Sequence, residues 1–236
     1  LGDVYKRQIE STAGPGYLAG QALAVYAAAD RLSCYNCRFT GWQDTIFNGD
    51  PMTCNMKKLM LPDFFQASEV PIVHKFYRNY FKDCYVCGDV DYIFGPNTAF
   101  FDHCEIHSIA RVSEGKAYIT AASTPAGQEF GLVFSHCRIT GEEPDSVYLG
   151  RPWRDCAKTA FICCELGDHI CPEGWQNWGK VRAEVLSDYI EYGNFGPGAD
   201  CSGRSPLSRC LVNPEVETYF SKENVLVGED GWIPAE

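Results

Sequence analysis

The segment FFDHCEIHS, residues 100–108, carries the pattern that decides the fold of this chain. Its residues alternate between two faces. One face carries Phe101, His103 and Glu105, and the other carries Asp102, Cys104 and Ile106. An alternation with a period of two is typical of a β-strand with one buried side. We therefore expect a strand in this segment, with its cysteine directed into the core.

The same pattern recurs at four other places: an apolar residue, a polar or small residue, a cysteine, a variable residue and a second apolar residue. These segments are CYNCRFTG (34–41), YFKDCYVCG (80–88), VFSHCRITG (133–141) and FICCELGDH (161–169). The aligned cysteines are Cys37, Cys84, Cys104, Cys137 and Cys164. Their uneven spacing is typical of a coil that recurs with loops of variable length. We therefore predict an all-β parallel solenoid in which these cysteines stack as an internal ladder.

Other interpretations of these patterns fit less well. A β-sandwich would have hairpin dipeptides between closely spaced strands, and these are mostly absent. The segment QALAVYAAADRL (21–32) is compatible with a helix, but its neighbours favour strands. The pairs Cys34/Cys37 and Cys84/Cys87 have the CxxC spacing of zinc ligands, yet they lie too far apart for a compact zinc ribbon.

Composition and charge exclude several classes of protein. The chain has 236 residues, 45% of them apolar, and a formal net charge of −11. It is therefore not a disordered chain, and it has no basic cluster that would favour nucleic acid or an anionic membrane surface. No apolar stretch approaches the roughly 18 residues that a membrane span needs. The odd count of 13 cysteines argues against a complete disulfide framework and favours a reducing compartment.

Metal and cofactor motifs are not found in the sequence. The five histidines do not form a metal-ligand spacing such as HExxH, and His103 and His136 directly precede ladder cysteines. There is no phosphate-binding glycine loop or dinucleotide fingerprint. We expect no metal site and no cofactor.

Five short segments carry the candidate chemistry. They are GQALAVYA (20–27), GWQDTIFNG (41–49), GDVDYIFGPNTAFF (88–101), YITAASTP (118–125) and VYLGRPWRD (147–155). In this order and on this repeat, the chain resembles the pectin methylesterase (pectinesterase) family, from about Ile9 to the C-terminal GWIPA. The resemblance implies a right-handed, single-stranded parallel β-helix of the pectin lyase type. It also implies hydrolysis of the methyl esters of homogalacturonan (pectin) or its oligosaccharides to pectate and methanol. We expect no nucleic acid, membrane or obligate protein partner.

Two carboxylates are the candidate catalytic groups. On residues alone, Asp91 is most simply a solvated strand aspartate, on the face opposite Val90 and Tyr92. The resemblance implies instead that Asp91 is the nucleophile, which forms a covalent acyl intermediate. It implies that Asp44 is the general acid, which protonates departing methanol and then activates water. Asp44 alternates with Trp42, so we expect an apolar setting that raises its pKa.

The remaining candidate residues also depend on the resemblance. Arg151 in LGRPW would pair with Asp91 and favour its charged form, although on sequence alone it is equally a surface arginine in a turn. Gln21 and Gln43 align with oxyanion-hole amides. Trp153 is the expected aromatic platform for a sugar ring. Phe94 and Phe47 are expected to line the cleft wall.

The resemblance also divides the chain. Residues 1–8 match nothing in the family and are interpreted as a non-native lead-in, and 9–236 as a single domain whose first coils are missing. Residues 48–79 form a long insertion, expected to project beside the cleft. Residues from about 200 to 236 form a C-terminal tail that packs on the helix. We interpret the chain as a bacterial-looking, N-terminally truncated member, and we expect the exposed end of such a solenoid to make it poorly soluble or self-associating.

Three other functions remain open at this point. A polysaccharide lyase on the same solenoid would need a calcium-binding carboxylate cluster and a basic residue. A glycosidase would use Asp44 and Asp91 as its carboxylate pair. A glycan-binding or inactive fragment would not need Arg151. The compartment stays open too, because family members usually act outside the cell, whereas unpaired cysteines suit a cytoplasm.

Overall fold

The structure is a computed structural model that describes residues 2–49 and 77–235. Within these residues, consecutive strands from β1 to β17 are distributed over three parallel sheets, so that each of them pairs with the strand three places along the chain. In this part of the chain each coil contributes one strand to each sheet, whereas the last two strands, β18 and β19, extend the first sheet alone. This is the all-β, parallel β-helical architecture that the repeated motif predicts.

The first sheet contains eight strands in the order β1-β4-β7-β10-β13-β16-β18-β19. They span Gly2–Tyr5, Leu32–Tyr35, Arg78–Lys82, Thr98–Asp102, Leu132–Ser135, Lys158–Ile162, Asp188–Tyr192 and Ser208–Leu211. The second sheet contains β2, β5, β8, β11, β14 and β17, which span Gln8–Glu10, Arg38–Thr40, Tyr85–Gly88, Glu105–Ser108, Arg138–Gly141 and Glu165–Leu166.

The third sheet contains β3, β6, β9, β12 and β15, which span Val25–Ala27, Ile46–Asn48, Val90–Gly95, Ala117–Ala122 and Val147–Gly150. The helices of the described residues are short: α1 (Gly16–Ala19), α2 (Ala183–Leu186), α3 (Glu215–Tyr219) and α4 (Lys222–Leu226). None of the helices in residues 2–49 and 77–235 has the length and apolar character that crossing a membrane requires.

The turn from the first sheet to the second takes two residues, and the first of them has a left-handed backbone. This holds in six coils, with φ between 48° and 54°, at Lys6, Asn36, Asp83, His103, His136 and Cys163. The left-handed residue breaks the alternation of the strand. The expectation that Phe101 and Cys104 face opposite sides is therefore wrong: both are buried in the same core cluster, while the His103 side chain is 59% exposed.

The second residue of the last five of these turns is a ladder cysteine. All five are buried, as the repeat predicts. The Cys84 backbone N–H donates to the Cys104 sulfur at 3.4 Å, and the Cys104 thiol donates to the Phe81 carbonyl of the preceding coil at 3.3 Å. Cysteine suits this position because it is small and apolar and still provides a weak donor and acceptor for the turn backbone.

The cysteines outside the ladder are not all thiols. Cys201 and Cys210 form a disulfide, which the odd count did not predict. The two groups of described residues that bring three potential metal ligands together do not include the CxxC pairs at 34/37 and 84/87. Cys54 lies outside the described residues.

A column of stacked phenylalanines fills the core beside the ladder. Phe81, Phe101, Phe134 and Phe161 lie on successive strands of the first sheet, with ring centroids 4.5 to 4.7 Å apart and nearly parallel planes. In-register pairing of neighbouring strands places these rings above one another. On the outer face of the same sheet, the C-terminal residues Val225 and Leu226 are buried in one apolar cluster with residues of the strands.

The expected insertion at 48–79 falls mostly on residues 50–76, which lie outside the described residues. Its proposed position beside the cleft therefore stays a prediction.

Replacing Phe134 by alanine should lower the free energy of unfolding by about 3 to 5 kcal/mol, since it removes a fully buried ring that stacks on both sides. Phe134→Leu should cost less, because it fills more of the cavity. Chemical denaturation measures both. Val112→Ala, at a side chain that is 55% exposed, is the control and should stay within about 0.5 kcal/mol of the wild type. A loss below about 1 kcal/mol for Phe134→Ala would contradict a close-packed column.

Candidate active site

The candidate nucleophile Asp91 lies at a β-bulge in the third sheet. Tyr118 pairs with Val90 and Thr120 with Ile93, so β9 uses three residue steps where β12 uses two. Asp91 has a left-handed backbone, with φ of 50°. Its orientation therefore comes from the bulge, and the alternation that the sequence indicated does not hold here. Non-glycine residues with this backbone are uncommon and cluster at functional sites.

Asp44 lies in the same place on the preceding coil. It also has a left-handed backbone, with φ of 65°, and its N–H donates to the Val90 carbonyl at 3.0 Å. Asp44 and Asp91 are both buried. Two buried aspartates with a left-handed backbone thus occupy adjacent coils. Asp44 lies just before β6, and Asp91 lies within β9.

Arg151 reaches Asp91 from further along the solenoid. It follows β15, and its N–H donates to the Thr120 carbonyl at 3.0 Å. Its side chain crosses β12 and forms a bidentate pair with Asp91, with Nε–Oδ1 at 2.8 Å and Nη2–Oδ2 at 2.7 Å. Such a pair fixes the orientation of the carboxylate as well as its charge.

Two aromatic rings hold the guanidinium group in place. Its Cζ atom lies 3.8 Å from the centroid of the Tyr118 ring and 3.7 Å from that of the Trp178 ring. Lys180 anchors the loop that carries Trp178, because its ammonium donates to the carbonyls of Pro152 and Trp153. Cation–π contacts on both sides leave the in-plane N–H groups of the arginine directed at Asp91.

Neither Tyr118 nor Trp178 was identified as a site residue from the sequence. Tyr118 opens the motif YITAASTP, so a signal for it was present. Trp178 lies in GWQNWGK, where two tryptophans stand near a lysine in an otherwise polar stretch. That composition is a weak signal without the fold.

The two aspartates differ in their electrostatic environment. Burial raises the pKa of Asp44 to about 8, the Asp91 charge adds to the effect, and Arg151 opposes it. Burial also raises the pKa of Asp91, but here the two hydrogen bonds from Arg151 are the largest opposing influence. Because Arg151 bonds directly to Asp91 and acts on Asp44 only through space, the negative charge of the coupled pair resides on Asp91.

The two glutamines lie one coil apart on the N-terminal side of Asp44, with Gln43 directly before it in the chain. The Ala22 N–H donates to the Gln43 carbonyl at 3.2 Å, so Gln21 and Gln43 belong to neighbouring coils. The Gln43 side chain is half-buried against Gly16, where an added Cβ would lie 2.4 Å from Gln43 Oε1. Glycine is therefore required at position 16 for this close approach. Gln21 is exposed.

Of the three aromatic residues expected to contact substrate, Trp153 lies at the surface, and Phe94 and Phe47 lie beneath it. Trp153 is half-exposed and packs edge-on against Phe94, with ring centroids 5.6 Å apart. The expectation that Phe47 lines the cleft wall is wrong, because it has no exposed surface and lies beneath Tyr26 and Phe94. Phe94 is only 4% exposed. Both phenylalanines therefore support Trp153 from below instead of offering a face to a ligand.

Comparison with known proteins gives a consistent result. The family model described as Pectinesterase matches residues 66–229. Pectinesterase 31 of Arabidopsis thaliana is 37% identical over 199 residues, which cover 84% of this chain and 53% of that protein. Probable pectinesterase A of Aspergillus fumigatus is 36% identical over 202 residues, which cover 82% of this chain and 52% of that protein. The chain thus spans about half the length of these curated relatives.

A solved structure shares the fold. Pectin methylesterase from carrot superposes with a TM-score of 0.77 at 26% identity, over 97% of this chain and 68% of that one. The architecture is accordingly the right-handed parallel β-helix that the sequence predicts. The relatives named here come from plants and fungi, so the interpretation of the chain as bacterial-looking is not supported.

The raised pKa of Asp44 has a consequence for stability. An unfolded aspartate titrates near 3.9, whereas folded Asp44 titrates at about 8. Between these values the unfolded chain releases a proton that the folded chain keeps, so the free energy of unfolding falls as the pH rises from about 4 to 8. Asp44→Asn removes this effect. The variant should match the wild type near pH 4 and exceed it by on the order of 5 kcal/mol at pH 8.

Denaturant titrations at pH 4, 6 and 8 measure this difference. Asp83→Asn is the matched control, since Asp83 is an exposed aspartate that also has a left-handed backbone, and asparagine already occupies the equivalent position 36. A difference between Asp44→Asn and the wild type that does not change with pH would contradict the raised pKa.

Proposed function

This chain belongs to the pectinesterase family, and we propose that it hydrolyses the methyl esters of homogalacturonan to pectate and methanol. The observation that carries the proposal is the pair of buried aspartates on adjacent coils, of which only Asp91 is paired with an arginine within residues 2–49 and 77–235. An ester hydrolase that uses two carboxyl groups needs one ionised and one protonated. The geometry supports this division.

In the proposed first step, the Asp91 carboxylate attacks the carbonyl carbon of the methyl ester. The tetrahedral intermediate places its negative charge on the former carbonyl oxygen, and the side-chain amides of Gln21 and Gln43 would donate hydrogen bonds to it. Collapse of the intermediate expels methoxide, which takes the proton of Asp44 and leaves as methanol. The product of this step is an anhydride between Asp91 and the galacturonate carboxyl.

In the second step, Asp44 is ionised and accepts a proton from water as the water attacks the anhydride. The bond between the galacturonate carbonyl carbon and the Asp91 oxygen breaks, the new galacturonic acid loses its proton to solvent and leaves as a carboxylate, and both aspartates return to their starting charges. Arg151 remains paired with Asp91 throughout and favours its departure as a carboxylate. The rings of Tyr118 and Trp178 hold the guanidinium beside Asp91 while the substrate reacts and leaves.

The surroundings of the pair support an anionic glycan as substrate. The chain has a net charge of −11, yet Arg151, Arg154 and Lys180 gather around Trp153 and Trp178. Half-exposed Trp153 provides an apolar face of the kind on which a sugar ring stacks. The cations would favour the free carboxylates that flank a methyl-esterified residue.

Asp91→Asn should reduce methanol release from esterified pectin by at least about 10³-fold, because the amide is a poor nucleophile and no longer pairs with Arg151. The assay measures methanol, reducing ends and unsaturated products in parallel. Methanol alone supports the esterase. Reducing ends would indicate a glycosidase, unsaturated ends a lyase, and no product a binding or inactive chain. Asp83→Asn should retain the wild-type rate, and methanol release by Asp91→Asn at that rate would overturn the nucleophile assignment.

The pH profile tests the role of Asp44. As a general acid it must carry its proton, so kcat/KM should fall as the pH rises through about 8, the pKa of Asp44. The rates are corrected for the methanol that pectin releases in alkali without protein. A profile with no decline between pH 7 and 10 would contradict this assignment.

A further inference from the structure

A group of three potential metal ligands lies away from the candidate active site. Ligand atoms of His136, Cys163 and Glu217 all lie within 4.8 Å of one another, and His136 Nε2 is 3.8 Å from Glu217 Oε1. The group sits at the turns between the first and second sheets, whereas the aspartates belong to the third. The proposed ester hydrolysis does not use it.

The solenoid itself fixes two of the three ligands. His136 and Cys163 are the left-handed turn residues of adjacent coils, with φ of 54° and 53°. The strands before these turns pair in register, with Ser135 opposite Ile162. Parallel stacking therefore directs the imidazole and the thiol outward, one above the other, from backbone that cannot shift independently.

The next position in this column leaves the sulfur accessible. Gly193 is the left-handed residue of the following coil, with φ of 63°. A Cβ at this position would lie 3.0 Å from the Cys163 sulfur. Because glycine has no side chain, the column ends at the thiol and leaves space beside it.

The orientation of His136 is already that of a metal ligand. Its Nδ1 lies 2.9 Å from the Ser135 hydroxyl, so Nε2 is the nitrogen that faces Glu217. Histidines that bind metals typically form a hydrogen bond through the second ring nitrogen, which fixes the tautomer and the ring orientation. On the other side, the His136 ring stacks on His103 with centroids 5.1 Å apart.

Glu217 comes from the C-terminal segment. It lies on α3. Tyr219 of the same helix packs against Phe130, with ring centroids 5.1 Å apart, and its hydroxyl donates to Glu129 at 3.1 Å. A ligand from this helix would connect the C-terminal segment to two coils of the solenoid. The sequence separation from Cys163 to Glu217 makes such a connection a long-range one.

We propose that His136 Nε2, the Cys163 thiolate and the Glu217 carboxylate bind Zn²⁺, with water as the fourth ligand. Imidazole, thiolate and carboxylate are the three side-chain ligand types of zinc. At metal–ligand distances of about 2.0 to 2.3 Å, tetrahedral ligands lie roughly 3.3 to 3.8 Å apart, which the half-exposed His136 and Glu217 side chains reach by small rotations. Binding releases the thiol proton to solvent, and the metal clips α3 to the coils.

The test uses the full chain without a polyhistidine tag, treated with EDTA, dialysed and kept in a non-thiol reductant. Zn²⁺ at about 100 times its Kd should raise the Tm by roughly 5 to 10 °C. Cys163→Ser, His136→Asn and Glu217→Gln should each lose most of this rise. The matched controls Cys156→Ser and Glu215→Gln should keep the rise in Tm. Cys156 is a half-buried thiol outside the group, and Glu215 is a second glutamate of α3.

Co²⁺ provides a second readout that does not depend on the folding of one variant. Wild type and Cys156→Ser should show a thiolate-to-cobalt charge-transfer band, and Glu217→Gln should bind Co²⁺ at least tenfold more weakly. Absence of this band in the wild type would overturn the site, as would an undiminished Tm rise in all three ligand variants. Neither readout depends on ester hydrolysis, so failure of this proposal and failure of the proposed function are distinguishable.

Discussion

Parallel, in-register pairing of each coil with the next is the constraint on which this structure depends. Backbone hydrogen bonds hold neighbouring strands about 4.8 Å apart, so a residue at one position of a coil contacts the residue at the same position of the next. The thiol ladder, the phenylalanine column and the row of left-handed turn residues all result from this rule. At the buried positions of the ladder and the phenylalanine column, a side chain must therefore pack against a copy of itself.

The same constraint makes the candidate active site possible. Asp44 and Asp91 are buried carboxyl groups on left-handed backbone. Burying a carboxyl group and holding a non-glycine residue in this backbone conformation each cost free energy. Coils on both sides hold the backbone in place, and Arg151 compensates the negative charge of Asp91. Among the described residues no arginine bonds to Asp44, so burial and the Asp91 charge raise its pKa against the through-space effect of Arg151 alone. The difference in proton affinity between the two residues thus follows from where one guanidinium is anchored.

The C-terminal segment is joined to the solenoid by charge as well as by apolar contact. Arg78 bonds to Asp30 through Nε at 3.1 Å and to Asp230 through Nη1 at 2.7 Å, which connects the start of β7 to the end of the chain. A second arginine, Arg204, pairs with the buried Glu191, whose carboxylate also accepts from the Trp175 indole. Such pairs fix the position of a segment because a misplaced segment would leave a buried charge unpaired.

The sequence by itself determined the repeat, the cysteine ladder, the all-β class, and the motifs that bring Asp44, Asp91 and Arg151 into consideration. These features are local, or recur at one position of each coil, so one chain displays them. Only the tertiary structure decided that His103 and Asp91 interrupt the strand alternation, that Phe47 is buried, and that Cys201 pairs with Cys210. It alone placed Tyr118 and Trp178 against Arg151. The physical reason is that a left-handed residue reverses the side-chain pattern, and contacts between distant segments depend on coil register, which periodicity alone does not encode.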